Sequence, residues 1–336
     1  MQHPAPTATM RAMSSLTDQR AQAGYRWACQ ALGRAEAAFS MVAGDASFRR
    51  YFRLTDGGCS WVLMDAPPAK EDSSPFIDVD QRLRAAGLHA PEILAHDLDQ
   101  GFLLLEDFGD TMFRELLDEV SVDRWFPRLF ELLGALARDV DARGLPAWDR
   151  PRLQEELELF TEWYLKRHLH HDWGCQGWDL WEDLCTRLIA SAEAQPQVFV
   201  HRDFHSCNLL LTPDERIGVI DFQDAVRGPL SYDLASLLWD RYLPWPRDRL
   251  EGWMEDFRQL AVPERDRMHW VREVDWMGLQ RNLKIVGIFA RLHYRDGKAG
   301  YLDMAPRFFQ YLRDVLPRYE EFEAFDALLE TLPCAP

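Results

Sequence analysis

Residues 198–224 read VFVHRDFHSCNLLLTPDERIGVIDFQD, and this stretch constrains the architecture more than any other. A short apolar strand ends in His201-Arg202-Asp203, and four residues separate Asp203 from Asn208. Two apolar segments, NLLLT and RIGVIDF, then flank Pro213-Asp214, the pattern of a hairpin. Such a hairpin over 209–220 would bring Asn208 and Asp221 close together. A chain of this kind needs at least two adjacent strand ends carrying oxygen-bearing side chains.

That set of groups has a chemical logic. Phosphoryl transfer asks for position and charge neutralisation more than for covalent help. Asp203 is placed to take the proton of an attacking hydroxyl. The Asn208 amide oxygen and the Asp221 carboxylate would hold Mg²⁺, which prefers oxygen ligands and borrows others from phosphates and water. Each residue alone fits a turn or a loop equally well; the ordered set in strand context favours the chemistry. The order His201-Arg202-Asp203, Asn208 and Asp221-Phe222 matches the protein-kinase pattern H-R-D-x-x-x-x-N with D-F after it, so the expected donor is ATP or GTP.

The rest of the chain reads as a strand-rich first part and a helix-rich second part. Strands are expected at 38–44, 49–56 and 60–66, the last two joined by Asp56-Gly57-Gly58-Cys59, and a buried strand at 102–105. Helical spacing marks 74–88, 122–144, 151–169 and 180–195. A length of 336 residues suits two lobes. The net charge of −17 argues against a nucleic-acid partner. No apolar run spans a membrane, and six scattered cysteines without a CxxC pair read as reduced thiols. A cytoplasmic protein is expected, with no obligate protein partner evident. His168, His170 and His171 read as a solvated helix end.

Residues 198–239 resemble the aminoglycoside phosphotransferase family of kinase-like enzymes, through H-x-D-x-x-x-x-N, Ile220-Asp221-Phe222 and Gly228-Pro229 ahead of Asp233. The resemblance implies an α+β, bilobal protein-kinase-like fold. A flexible tail (1–20) would precede a small β-rich N-lobe (21–108) and a larger, mainly helical C-lobe (109–336). The segments AGDASFRRYFRL (43–54), WVLMDAPP (61–68), LLLEDFGD (103–110) and LQRNLKIVGIFARLHYRDGK (279–298) look like one bacterial branch. That branch phosphorylates the C1 hydroxyl of the amino sugars N-acetylmuramate and N-acetylglucosamine in peptidoglycan recycling. Other small alcohols, an aminoglycoside or choline, are the alternative acceptors. A nucleotide-binding pseudokinase is the alternative from another class.

The resemblance also implies roles. Gly44, Asp45, Ala46 and Ser47 would cradle phosphates, small residues letting backbone N–H groups approach. The backbone at Glu106 and Phe108 would meet adenine. The third strand, Trp61-Val62-Leu63-Met64-Asp65, lacks the usual phosphate-binding Lys, so an Arg from 49–53 is expected to replace it, with Arg50 the candidate. His205, Gln223 and Asp224 are acceptor-site candidates. Arg281 and Lys284 are basic groups suited to a lactyl carboxylate. His201 and Asp233 would support the catalytic loop.

Overall fold

A computed structural model describes residues 18–44 and 48–333, and they divide into two compact units. The first holds the described residues up to Thr111 together with Leu210–Asp224. It opens with α1 (Gln19–Ala31), capped by the Asp18 carboxylate, which accepts from the N–H groups of Arg20 and Ala21. Residues 18–20 of the expected tail are therefore a cap and a first helical turn, and 1–17 lie outside the described residues.

The strands β1 (Ala38–Gly44), β2 (Arg50–Asp56) and β3 (Cys59–Asp65), the helix α2 (Ser74–Ala85), and the strands β4 (Ile93–Asp97) and β5 (Phe102–Glu106) follow. The five strands form one antiparallel sheet in the order β1-β2-β3-β5-β4. Alternation along β2 sends Phe52 and Leu54 into the core with Leu63, Leu104 and the buried face of α1. Gly57 and Gly58 make the β2–β3 turn at positive φ. β4 was not anticipated: its burial alternates regularly, but the exposed positions include the apolar Leu94, so the sequence shows no apolar–polar alternation.

The second unit holds Met112–Leu209 and the described residues from Ala225 onward. Its helices are α3 (Val122–Asp139), α4 (Arg150–Leu159), which continues as a π-helical segment, Phe160–His168, and α5 (Gly174–Glu193). In α3, Val122, Trp125, Phe126, Leu129, Phe130 and Leu133 form the buried stripe that its three-and-four spacing dictates. The strands β6 (Gln197–Val200), β7 (Leu209–Leu211), β8 (Ile217–Val219) and β9 (Val226–Pro229) come next; β6 pairs with β9 and β7 with β8. The stretch 210–224 thus groups with the first unit, whereas the sequence reading ran an unbroken second lobe over 109–336.

α6 (Ser231–Leu238), α7 (Arg247–Ala261), α8 (Arg267–Tyr294), α9 (Ala305–Val315) and α10 (Glu323–Glu330) complete the unit. α8 is its axis: its residues 276–287 are buried without interruption, so neighbours pack on every side. A Cβ on Gly287 would lie 2.3 Å from the carbonyl carbon of Leu159, so only glycine permits this backbone approach. Across that contact α8 and α4 run side by side.

Candidate active site

The loop after β6 is fixed from beneath by two carboxylates. Asp233, in the first turn of α6, accepts the backbone N–H of His201 at 2.6 Å and of Arg202 at 3.0 Å. Asp240 accepts the N–H of Ser206 at 2.9 Å and of Tyr242 at 2.8 Å. Both carboxylates are buried. Arg202 adopts φ 76°, a left-handed conformation that a non-glycine residue takes only under local constraint. The loop then closes on itself: His205 N–H donates to Asp203 O at 3.0 Å, Asn208 N–H to His205 O at 2.9 Å, and Asn208 Nδ2 to Asp203 O at 3.0 Å. Only the NH₂ side of an amide can donate there, so the Asn208 oxygen is directed away from that carbonyl. Asp240, two residues past the end of α6, was missed from sequence.

Burial alone would raise the Asp203 carboxyl. Lys284, then His205, His201 and Arg202, outweigh burial and hold it at about 2, so it is a carboxylate at any physiological pH. His205 is itself pushed down to about 4, by burial first and then by Arg241, whose Nη2 lies 3.3 Å from His205 Nε2. It is a neutral, buried ring packed within the second unit rather than an open acceptor contact. Burial raises Asp233 to about 6, against the opposing pull of His201 and the two backbone N–H groups.

Lys284 connects this loop to a cavity of about 340 Å³ between α4 and α8. Arg152, Glu155 and Glu156 line it from α4, and Lys284, Ile288 and Arg291 from α8. Trp148 and Arg202 also line it. Glu156 is the hub: it accepts from Arg202 Nη2 at 2.9 Å and Gln280 Nε2 at 3.1 Å, with Lys284 Nζ at 3.3 Å. Lys284 also donates to the Tyr232 hydroxyl at 2.8 Å. Arg281, expected beside Lys284, is elsewhere: it is buried, donates to Trp239 O at 3.2 Å and does not line the cavity. Sequence reasoning paired Arg281 with Lys284 at helical spacing, but three residues turn a helix by about 300°, and 284, 288 and 291 share the cavity face more closely.

In the first unit, Asp221 also has positive φ, 62°. Gln223 Nε2 donates to its Oδ1 at 2.9 Å and approaches Asp224 Oδ2 at 3.3 Å. Gln223 therefore orients the carboxylate that precedes it, a different placement from the acceptor contact expected. Phe222 is buried against Phe76 of α2, ring centres 4.8 Å apart, and anchors the turn. Arg49 Nη2 lies 3.8 Å from Asp221 Oδ1. Arg50 is on the opposite face of β2, with Nε 3.0 Å from Asp65 Oδ2 and a further pair to Asp18. The Arg50 assignment to phosphate is not matched by this placement: its guanidinium joins β2 to the α1 cap, because strand alternation turns it from the Arg49 side. Arg53 clamps Asp107 and Asp110.

Glu106 binds His89 and the Glu92 N–H through its carboxylate, and Phe108 packs on His89 and fills the space over Gly218. Gly44 ends β1, and Asp45, Ala46 and Ser47 lie outside the described residues. Asn208 in the second unit and Asp221 in the first each carry a side-chain oxygen, the donor type a hard divalent ion prefers. No helix among the described residues is long and apolar enough to cross a membrane.

Residues 39–271 match the phosphotransferase enzyme family. The chain is 43% identical over 298 residues to the N-acetylmuramate/N-acetylglucosamine kinase of Pseudomonas aeruginosa, covering 87% of this chain and 88% of that one. It is 40% identical to the protein of the same name from Neisseria meningitidis, covering 87% and 90%. A solved choline/ethanolamine kinase family protein from Mesorhizobium loti shares the fold, with a TM-score of 0.65 at 15% identity over 92% of this chain and 99% of that one.

Proposed function

The chain belongs to the phosphotransferase enzyme family, and we propose that within it this protein transfers the γ-phosphoryl group of ATP to the C1 hydroxyl of N-acetylmuramate and N-acetylglucosamine. The observation that carries the chemistry is Asp203, a carboxylate held ionised at about 2 on a loop whose amides are fixed by Asp233. The names of the relatives support the acceptor.

In this reading Asp203 receives the hydrogen bond of the C1 hydroxyl, aims its oxygen at phosphorus and takes its proton late in the transfer. An anomeric hydroxyl is more acidic than an ordinary alcohol, because the ring oxygen withdraws electrons. Positioning then provides a large share of the effect. Asn208 and Asp221 would hold Mg²⁺, which when bound neutralises charge on the phosphates. Gln223 keeps Asp221 oriented. Arg49 supplies the positive charge that the third strand lacks. The backbone at Glu106 and Phe108 would meet the base, and Gly44–Ser47 the phosphates.

Four cationic side chains face two anionic ones in the cavity, which disfavours a polycationic aminoglycoside or choline as acceptor. The test is a coupled ADP-release screen with ATP and GTP over amino sugars, aminoglycosides and choline, with the product position read by phosphorus NMR. A C1 phosphate on the amino sugars is expected, abolished by EDTA and restored by Mg²⁺. Nucleotide binding without turnover on any acceptor would overturn the enzyme reading in favour of a pseudokinase.

A further inference from the structure

The cations of the α4–α8 cavity differ in what they touch. Lys284 and Arg202 both meet Glu156, and Lys284 also holds the Tyr232 hydroxyl. Arg291, two turns further along α8 from Lys284, has no carboxylate within ion-pair distance among the described residues. Its Nε is buried without a hydrogen-bond partner. The half-buried Arg291 guanidinium lines this concave space, and the planar N–H groups of a guanidinium match the two oxygens of a carboxylate. Arg152, exposed on α4 at the rim, adds a second positive charge from the opposite wall. The cavity volume is within the range of small-ligand sites.

We propose that the α4–α8 cavity is the acceptor site and that Arg291 reads a carboxylate on the acceptor, so that an acidic sugar is preferred over its neutral analogue. The proposal rests on the sugar-kinase reading and adds a residue that decides between its two substrates. N-acetylmuramate differs from N-acetylglucosamine by a lactyl ether ending in a carboxylate. The sugar ring would lie toward Lys284 and Arg202, and the lactyl arm would extend along α8 to Arg291. Glu156 meets both inner cations and Glu155 lies on the same wall as Arg152, so four cations against two carboxylates leave the lining with surplus positive charge.

The test compares kcat/KM for the two sugars, and for the methyl ester of N-acetylmuramate, in wild type and in Arg291→Gln. Calorimetric binding of the same three sugars runs in parallel. Arg291→Gln should lower kcat/KM for N-acetylmuramate at least tenfold more than for N-acetylglucosamine, and Arg291→Lys should recover part of that difference. Wild type should handle the ester as it handles N-acetylglucosamine, a comparison that needs no mutant to fold. Equal losses for both sugars, or equal use of acid and ester, would overturn the role of Arg291. If wild type phosphorylates neither sugar, the sugar-kinase reading falls. Binding of the acid over its ester then still decides whether Arg291 reads a carboxylate, and equal or absent binding overturns it.

Discussion

The carboxylate of Asp233 accepts the backbone N–H of His201 at 2.6 Å, with both residues buried. Since it also holds Arg202, Asp233→Ala should orphan two N–H groups at once. At about 1–3 kcal/mol for each unmet buried donor, the stability loss should be on the order of 2–6 kcal/mol. Chemical denaturation measures this directly. kcat should fall more than tenfold while the nucleotide KM changes little, because the base loses its platform. A stable variant with normal kcat would remove Asp233 from the support of the loop.

Asp203→Asn keeps the shape of the side chain and removes its charge. General-base assistance is worth about 10²–10⁴-fold, so kcat should drop by that order with nucleotide affinity preserved. Because Lys284 and its neighbours keep the wild-type group ionised, the pH–rate profile above pH 5 should show no acid limb from Asp203. Near-normal turnover by the variant on the true acceptor would refute the role.

Arg49 and Arg50 are adjacent in sequence and should fail differently. Arg49→Gln should raise the nucleotide KM about tenfold, the value of one charge-assisted contact, without a fall in Tm. Arg50→Gln should lower stability by about 1–3 kcal/mol, since Asp65 is buried and would keep only Arg20. Thermal melts beside nucleotide titrations separate the two. The opposite pattern would restore Arg50 as the phosphate contact.

Asp80 on α2 is buried, with one carboxyl oxygen lacking a hydrogen-bond partner, and burial pushes it up to about 7. Between about pH 4 and about 7 the folded state keeps a proton that the unfolded chain has released, so stability falls as pH rises through that window. Asp80→Asn removes that loss. Its Tm advantage over wild type should be smallest near pH 4 and should reach a few degrees above pH 7. A gap independent of pH would identify another origin.

The order Asp203, Asn208, Asp221 was legible because each residue borders an apolar segment whose strand character is local, Asn208 ahead of one and the two aspartates after others. The three-stranded start of the sheet was legible for the same reason, with Gly57-Gly58 marking the turn. Arg50 was chosen over Arg49 because alternation divides strand residues into two faces without saying which face meets which neighbour. That answer lies in Asp18, 32 residues away, and Asp221, 172 away. Glu156 and Trp148 were missed because an acidic residue in a helix and a tryptophan in a loop look like surface and core until α8 is laid beside them.

The close approach at Gly287 gives the second unit a fixed gauge. The spacing of α4 and α8 is set by main chain against main chain, a contact that side-chain exchange on the groove face does not alter. Arg152, Glu155, Ile288 and Arg291 therefore form an interchangeable lining inside a frame of constant width. A lineage, or a designer, can retune which acceptors this kinase admits at those four positions, while the distance between the walls, and with it the geometry around Lys284, stays as inherited.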